Sequence, residues 1–524
     1  MTIATRNGAR ALVDALVERG VRDLFGVPGH GAYPIYGALT EVPELRPFVG
    51  RNEQGAGFIA DAWSWSTNKV AVATSVPQCG LTNSATALLQ ATQDGERLLF
   101  LFEEDPLHRD VLRSVARYYE RAGSAEEIRP ALNRLMDALE VGRPAGAALE
   151  IPSSVLTSPA EKIGPRPERP APLLPDDRLL DQAADLLSKA DRPMIVAGRG
   201  IVAAGAEANL RALAESLRAP VLADRNAKGV LPEDHPLALG YTWSPTSPAE
   251  AMLKAADVVL AIGPRENAAT GTRSAEQLAS QLIHLDWDDD EQVKGEPARV
   301  KLAGHVGETL AQLAQRVRPR QSASVAAEHI DELLDAPWRY AETRIPWGVG
   351  FFRELQAALP RDVLFFTDSM VGLWIFRLLR AYEGRSFRFG WGNGTGTLGY
   401  GLPGAIGAKY AAPDREVVAI AGDGAFLYNP QELATAALYG LKITVIVCND
   451  NCFGAVRDNT AEQFGKAIGH ELKNPDFMRL AEAFGMRAVK VDSPEGVGPA
   501  LREALAQDRS TLIEVPLELR PARY

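Results

Sequence analysis

Residues Val417–Gly454 read VVAIAGDGAFLYNPQELATAALYGLKITVIVCNDNCFG, and the reading of this stretch decides the fold. Two apolar, β-branched runs, 416–421 and 443–448, have the short two-sided hydrophobicity of strands buried between helix layers. Between them, Asn429 suits an N-cap, Pro430 suits the first helical position and Glu432 completes a capping box. A helix is therefore predicted over 430–439, ending at Gly440. Strand, helix, strand is a βαβ unit. Its parallel strands carry their carboxyl ends to one edge, where open α/β sheets bind ligands. That edge receives Gly422-Asp423-Gly424 from the first strand and Asn449-Asp450-Asn451 from the second. The glycines let backbone approach a ligand closely. Two carboxylates beside such backbone suit a Mg²⁺ ion that borrows further oxygens from a diphosphate.

The same alternation continues in both directions. DLFGV, VAVATS, LLFLF and GAALEI lie near the start, MIVAG, PVLAD, VVLAIG and LIHLDW in the middle, and VLFFTD and TLIEVP flank the opening unit. Strands alternating with helical patterns imply an α/β protein built of parallel, doubly wound sheets. Two breaks divide the chain: the Pro-rich SPAEKIGPRPERPAPLLPDD, residues 158–177, and a polar, poorly periodic stretch near 318–338. Three domains follow, over 1–160, 178–318 and 340–524.

Composition narrows the function. A net charge of −11 among 524 residues, with a pI near 5.4, disfavours nonspecific binding to nucleic acid or an anionic membrane. Three cysteines, Cys79, Cys448 and Cys452, make neither a disulfide framework nor a zinc pattern, and suit a reducing cytoplasm. No apolar run reaches the length of a membrane span, and Asp14 and Glu18 sit where a leader peptide would be uncharged. The acid run DWDDDEQ, 286–292, reads as a solvated loop. Gly198-Arg199-Gly200 has the shape of a dinucleotide turn, but a lone GxG is a weak sign.

GDG followed at this spacing by Asn449-Asp450 resembles the thiamine-diphosphate motif. The resemblance covers nearly the whole chain, through DLFGVPGHGAYPIYGAL, RNEQGAGFIADAWS, GNGTGTLGYGLPGAIGAKYA and NPDFMRLAEAFG. The chain looks like the superfamily of acetolactate synthase, benzoylformate decarboxylase and benzaldehyde lyase. That resemblance implies a pyrimidine-binding first domain, a central domain and a diphosphate-binding third domain. It implies thiamine diphosphate and Mg²⁺ as cofactors, with Asp423, Asp450 and the backbone of Cys452 as metal ligands. Where Asp450 stands, the family usually has Asn, and the extra charge should sharpen the demand for a divalent cation. Glu53 matches the glutamate that hydrogen-bonds the aminopyrimidine, and Leu398 the bulky residue beneath the cofactor. Gly396 and Thr397 match backbone contacts to the pyrimidine. Asp368, Ser369 and Met370, with Gly422, Gly424, Ala425, Phe453 and Gly454, match the diphosphate surroundings. Because Glu53 and the diphosphate site lie in different domains, the resemblance implies a cofactor shared between subunits of a homodimer or homotetramer. The reaction it implies is cleavage or formation of a carbon–carbon bond in a 2-oxo acid or acyloin, with a small 2-oxo acid or aldehyde as partner. The acceptor-using, acetolactate-synthase-like outcome leads; a simple decarboxylase or lyase is the alternative. A silent cofactor-binding homologue is a further one.

The substrate side departs from the pattern. The chain has SVPQCGLTN at 75–83 where the family commonly has SGPGATN, and LFEE where it has ITGQ. Gly29, His30, Asn83, Glu103, Glu104 and His108 become the candidates for substrate contact, His30 as a proton shuttle near neutral pH. The stretch GPRENAATGTR, 263–273, does not reproduce the fuller flavin-binding pattern, so FAD is not expected.

Overall fold

The structure is a computed structural model that describes residues 6–160, 164–241, 248–264, 279–288, 297–320, 330–384, 386–390 and 395–520. Three six-stranded sheets organise it. The first contains β1 (Asp23–Gly26), β2 (Arg46–Val49), β3 (Ala71–Ser75), β4 (Leu98–Glu103), β5 (Tyr118–Arg121) and β6 (Gly146–Ile151), in the order β2-β1-β3-β4-β6-β5. The second contains β7 (Pro193–Ala197), β8 (Val221–Ala223), β9 (Ala238–Tyr241), β10 (Val258–Ile262), β11 (Leu282–Asp286) and β12 (Val300–Ala303), in the order β12-β11-β10-β7-β8-β9. The third contains β13 (Leu364–Thr367), β14 (Ser386–Phe389), β15 (Val417–Gly422), β16 (Thr444–Cys448), β17 (Arg487–Lys490) and β18 (Thr511–Val515), in the order β14-β13-β15-β16-β18-β17. Every recorded pairing in these sheets is parallel, as helix-covered, two-sided hydrophobic strands require. The chain is thus α/β throughout, with three doubly wound parallel sheets. The first and third sheets share one strand order, which one sequence alone does not reveal.

The three units meet around buried charge. Arg388 of β14 points at Asp61, Asp94 and Glu96 of the first unit, at 3.3, 2.8 and 3.5 Å. Glu96 also holds Arg199 of the central unit at 2.5 Å. All five side chains are essentially inaccessible, so each charge depends on the others for solvation. Arg388→Met removes the central cation and leaves three acids behind. We expect a loss of about 3–5 kcal/mol, read as a lower midpoint in urea unfolding. Burial pushes the Asp61 carboxyl up to about 7, against the pull of Arg388. A raised acid stabilises most fully below its unfolded value, and that contribution is lost as pH rises through about 7. Asp61→Asn is accordingly expected to flatten the decline in unfolding free energy between about pH 4 and pH 7.

Several sequence expectations need correction. Asn429 makes no side-chain cap, and Pro430–Glu432 is a 3₁₀ turn before a helix confined to Leu433–Leu438. The Glu432 carboxylate instead accepts from the Arg51 and Asn52 amides at 3.2 Å and from the Thr435 hydroxyl at 2.6 Å. Tertiary donors in the first unit outcompete the local cap. The break near 318–338 contains the start of a helix, Ile330–Arg344. The acid run is not wholly solvated: Asp286 is buried 3.0 Å from Arg143, and Asp288 lies 2.8 Å from Arg117. Its remaining residues, 289–292, lie outside the described residues. At the Gly198-Arg199-Gly200 turn, a Cβ on Gly198 would collide with the Gly263 and Pro264 backbone. Those backbones fill the space between the ends of β7 and β10. Most of the flavin-pattern stretch, 265–273, lies outside the described residues.

Candidate active site

The third sheet changes winding direction between β13 and β15, and a crevice opens beyond the carboxyl ends of those strands. Its empty volume is about 840 Å³. Ser369 follows β13, Gly422 ends β15 and Asp423–Ala425 follow it, and Asp450, Cys452, Phe453 and Gly454 follow β16; all line it. Gly396 and Leu398 close another side, while Val371, Leu517 and Leu519 add apolar surface. Two non-glycine residues at this edge hold left-handed backbone, Ser369 (φ 60°) and Asn451 (φ 55°). Such conformations cost about 1–3 kcal/mol and persist only where surroundings fix them. Here the Ser369 hydroxyl accepts from the Gly422 amide at 3.2 Å, and the Asn449 side chain accepts from the Asn451 amide at 3.2 Å.

Asp423 and Asp450 meet in this crevice. Burial raises the Asp423 carboxyl, against the Asn474 amide and the Gly424 N–H, which donate to it at 2.6 and 2.8 Å. Burial, and then the charge of Asp423, push Asp450 up to about 6. Asp423 is buried and Asp450 half-buried, and a cation beside them would relieve the charge that burial disfavours. Among the described residues no group of three or more His, Cys, Asp or Glu side chains could hold a metal. The two carboxylates are hard oxygen donors, which fit Mg²⁺ with coordination left over for phosphate. Neither cysteine of the crevice offers a ready thiolate, since burial raises both Cys448 and Cys452. A Cβ on Gly424 would collide with the Phe453 ring, so only glycine lets these two loops close on each other.

Three of the expected cofactor residues, Asp368, Thr397 and Glu53, lie outside the lining of this crevice, Glu53 in the first unit as expected. Asp368 is fully buried behind the crevice, where its Oδ2 accepts from the Gly399 and Gly401 amides, each at 3.0 Å. It fixes the loop that carries Leu398 and does not line the space itself. Thr397 is buried beside that loop, and the side chain of Met370 lies outside the described residues. Glu53 sits in the first unit at the start of the helix Glu53–Thr67, 9% exposed, accepting from Asn83 Nδ2 at 3.1 Å. Among the described residues, the crevice is lined from 369–519 alone.

The expected substrate residues gather at the equivalent edge of the first sheet. Gly29 and His30 follow β1, and Val76–Gln78 follow β3, its neighbour at the winding switch. A Cβ on Gly29 would strike Val76, and one on Gly80 would strike Val76 and lie 3.0 Å from Glu53 Oε1. His30 is exposed, with the Tyr33 ring edge-on at 6.4 Å. Glu104 is turned away: Arg109 and Arg121 hold its carboxylate, and Arg109 also pairs with Glu150 at 2.7 Å. His108 Nδ1 lies 2.8 Å from Asp105, which accepts the Gln78 amide at 2.9 Å and steadies its left-handed backbone (φ 59°). Sequence reading missed Asn474, which bridges Asp423 and Asn449 at 2.6 and 2.9 Å. No periodicity marks it, although Asp476 two residues on signals a helix start.

Three segments match the thiamine pyrophosphate enzyme family. The N-terminal TPP binding domain matches residues 6–120, the central domain 180–313 and the C-terminal TPP binding domain 369–515. A probable 2-ketoarginine decarboxylase of Pseudomonas aeruginosa is 32% identical, across 98% of this chain and 94% of its own. The acetolactate synthase large subunit of Corynebacterium glutamicum is 30% identical, across 97% and 86%. A probable acetolactate synthase large subunit of Methanocaldococcus jannaschii is 27% identical, across 98% and 92%. Among the described residues no helix is long and apolar enough to cross a membrane.

Proposed function

Because the chain belongs to the thiamine pyrophosphate enzyme family, we propose that it uses thiamine diphosphate and Mg²⁺ to cleave the bond between the carboxylate and carbonyl carbons of a 2-oxo acid, and then to join the acyl unit to a second carbonyl. The observation that carries this reading is the meeting of Asp423 and Asp450 at the third sheet's winding switch, with Leu398 across the same crevice. Thiamine diphosphate supplies a nucleophilic carbon and a place for the electron pair left when carbon dioxide departs. The protein's share is placement and proton control. Asp423, Asp450 and the Cys452 carbonyl would hold the metal, and Gly422, Gly424 and Ala425 would border the diphosphate. Leu398, on a loop clamped by Asp368, would press against the cofactor. Glu53, buried and steadied by Asn83, would share a proton with a ring nitrogen.

Glu53 is absent from the crevice of its own chain, so we read the active unit as a homodimer at least, each first domain completing its partner's site. The helix Gly454–Phe464 supports this: it buries none of its residues, and Phe464 and Ile468 are each 73% exposed. A second outcome, protonation and release of an aldehyde, is favoured by the exposed His30 at the first sheet's edge and by the relative described as a probable decarboxylase. Cofactor-stripped protein titrated with thiamine diphosphate and Mg²⁺, then given 2-oxo acids with and without an acceptor aldehyde, tests both. Carbon dioxide with an acyloin supports the first outcome, and carbon dioxide with free aldehyde the second. No saturable binding would refute the cofactor site.

A further inference from the structure

Four acids crowd the carboxyl edge of the first sheet, and their partners differ. Glu104 is held by two arginines, Glu150 by Arg109, and Asp105 by the Gln78 amide and His108. The carboxylate of Glu103, the last residue of β4, makes no hydrogen bond or ion pair among the described residues. It is not a loose surface group either. Its side chain is half-buried, and a Cβ on Gly31 would collide with its Oε2 and with Pro77. Gly31 has φ 90°, so both the backbone and the carboxylate above it require glycine there. Glu103 is thereby packed over the loop that carries His30. That loop and Val76–Gln78 border the winding switch of the first sheet, the place where open α/β sheets take ligands. Val76 joins this edge to Gly80 and so to Glu53.

We infer that Glu103 recognises the far end of the substrate and selects a 2-oxo acid whose side chain ends in a cation, an ammonium or a guanidinium. The inference rests on the reaction proposed above and names the substrate class of that site. A carboxylate unpaired among the described residues, while the three acids beside it are each held by hydrogen bonds or arginines, has an unmet demand for a positive donor. A charge-assisted hydrogen bond there would be stronger than a neutral one. The same charge would repel the substrate's own carboxylate, so the 2-oxo acid would enter with its carboxylate turned away from Glu103. Attraction at one end and repulsion at the other together set the orientation.

The test uses the full-length protein loaded with thiamine diphosphate and Mg²⁺. Carbon dioxide release is measured for 2-oxo acids of matched length ending in methyl, carboxylate, ammonium or guanidinium. The wild-type protein should prefer a cationic member, and the ammonium and guanidinium arms separate the two donors. Glu103→Gln should lower the cationic-to-methyl ratio of kcat/KM by about ten- to a hundredfold. Glu103→Asp should restore part of it, and Glu104→Gln, whose parent side chain is already paired, should leave the ratio in place. A wild-type preference for methyl or carboxylate ends would overturn the inference while leaving the reaction standing. So would a Glu103→Gln loss equal for all substrates, which would mark a proton-transfer role instead. No carbon dioxide from any member would overturn the reaction itself and the inference with it. Thermal melting of each variant separates these outcomes from misfolding.

Discussion

Glu53→Gln is expected to lower turnover by about three orders of magnitude while thiamine diphosphate still binds. The side chain is 9% exposed at the start of the helix Glu53–Thr67, and its Oε2 accepts from Asn83. Oε1 lies where any side chain at Gly80 would crowd it, so the carboxyl is confined from two directions. Glutamine keeps the shape and can hydrogen-bond a ring nitrogen, but it cannot take up and return a proton. Binding and rate should therefore part. A circular dichroism titration with thiamine diphosphate should give an affinity close to wild type, and carbon dioxide release should fall about a thousandfold. Turnover within a few fold of wild type would remove Glu53 from the proton path. Equal losses of affinity and rate would make it a binding group only.

Legibility in the sequence followed burial. In each sheet the four inner strands stood out as apolar runs, and both edge strands escaped notice. The missed strands are β2 and β5, β9 and β12, and β14 and β17. Edge strands are covered less completely, so their sequences carry less of the two-sided pattern. RPFV in β2, with Arg46 and Pro47 exposed, and YYER in β5, with Arg121 exposed, show this directly. β9 is the exception, fully buried, but its ALGY carries no β-branched residue to mark it.

The site divides along a similar line. Asp423 and Asp450 were legible because each follows a buried strand, and parallel strands deliver their ends to one edge. Groups whose partners are distant in sequence were not. Glu432 looked like half of a capping box, but its donors are Arg51 and Asn52, some 380 positions away. Glu103 and Glu104 were indistinguishable as adjacent acids. Alternation along β4 separates them, sending Glu104 to Arg109 and Arg121 and leaving Glu103 over Gly31. Asp286 looked like part of a solvated acid run until Arg143 of another unit closed over it.

The pair Asp423 and Asp450 should respond to substitution with opposite signs in two measurements. Without metal, both carboxyls are raised by burial and Asp450 also by the charge of Asp423, so the metal-free fold bears their repulsion. Asp450→Asn keeps an oxygen donor and removes one charge. The metal-free variant should therefore be more stable than wild type at neutral pH, by about 1 kcal/mol. Its affinity for Mg²⁺ in the presence of thiamine diphosphate should fall, by about tenfold. Asp423→Asn should cost more, about a hundredfold or beyond, because the Gly424 N–H and the Asn474 amide are aimed at carboxylate oxygens. An amide there would present N–H to at least one of those donors and turn its remaining oxygen away from the metal. Melting of the stripped proteins gives the first quantity, and Mg²⁺ titration of cofactor retention gives the second. If Asp450→Asn destabilised the stripped protein and left Mg²⁺ demand unchanged, the two carboxylates would be a structural pair rather than a metal site. Because they share one ion, the double variant should lose less affinity than the two single losses combined.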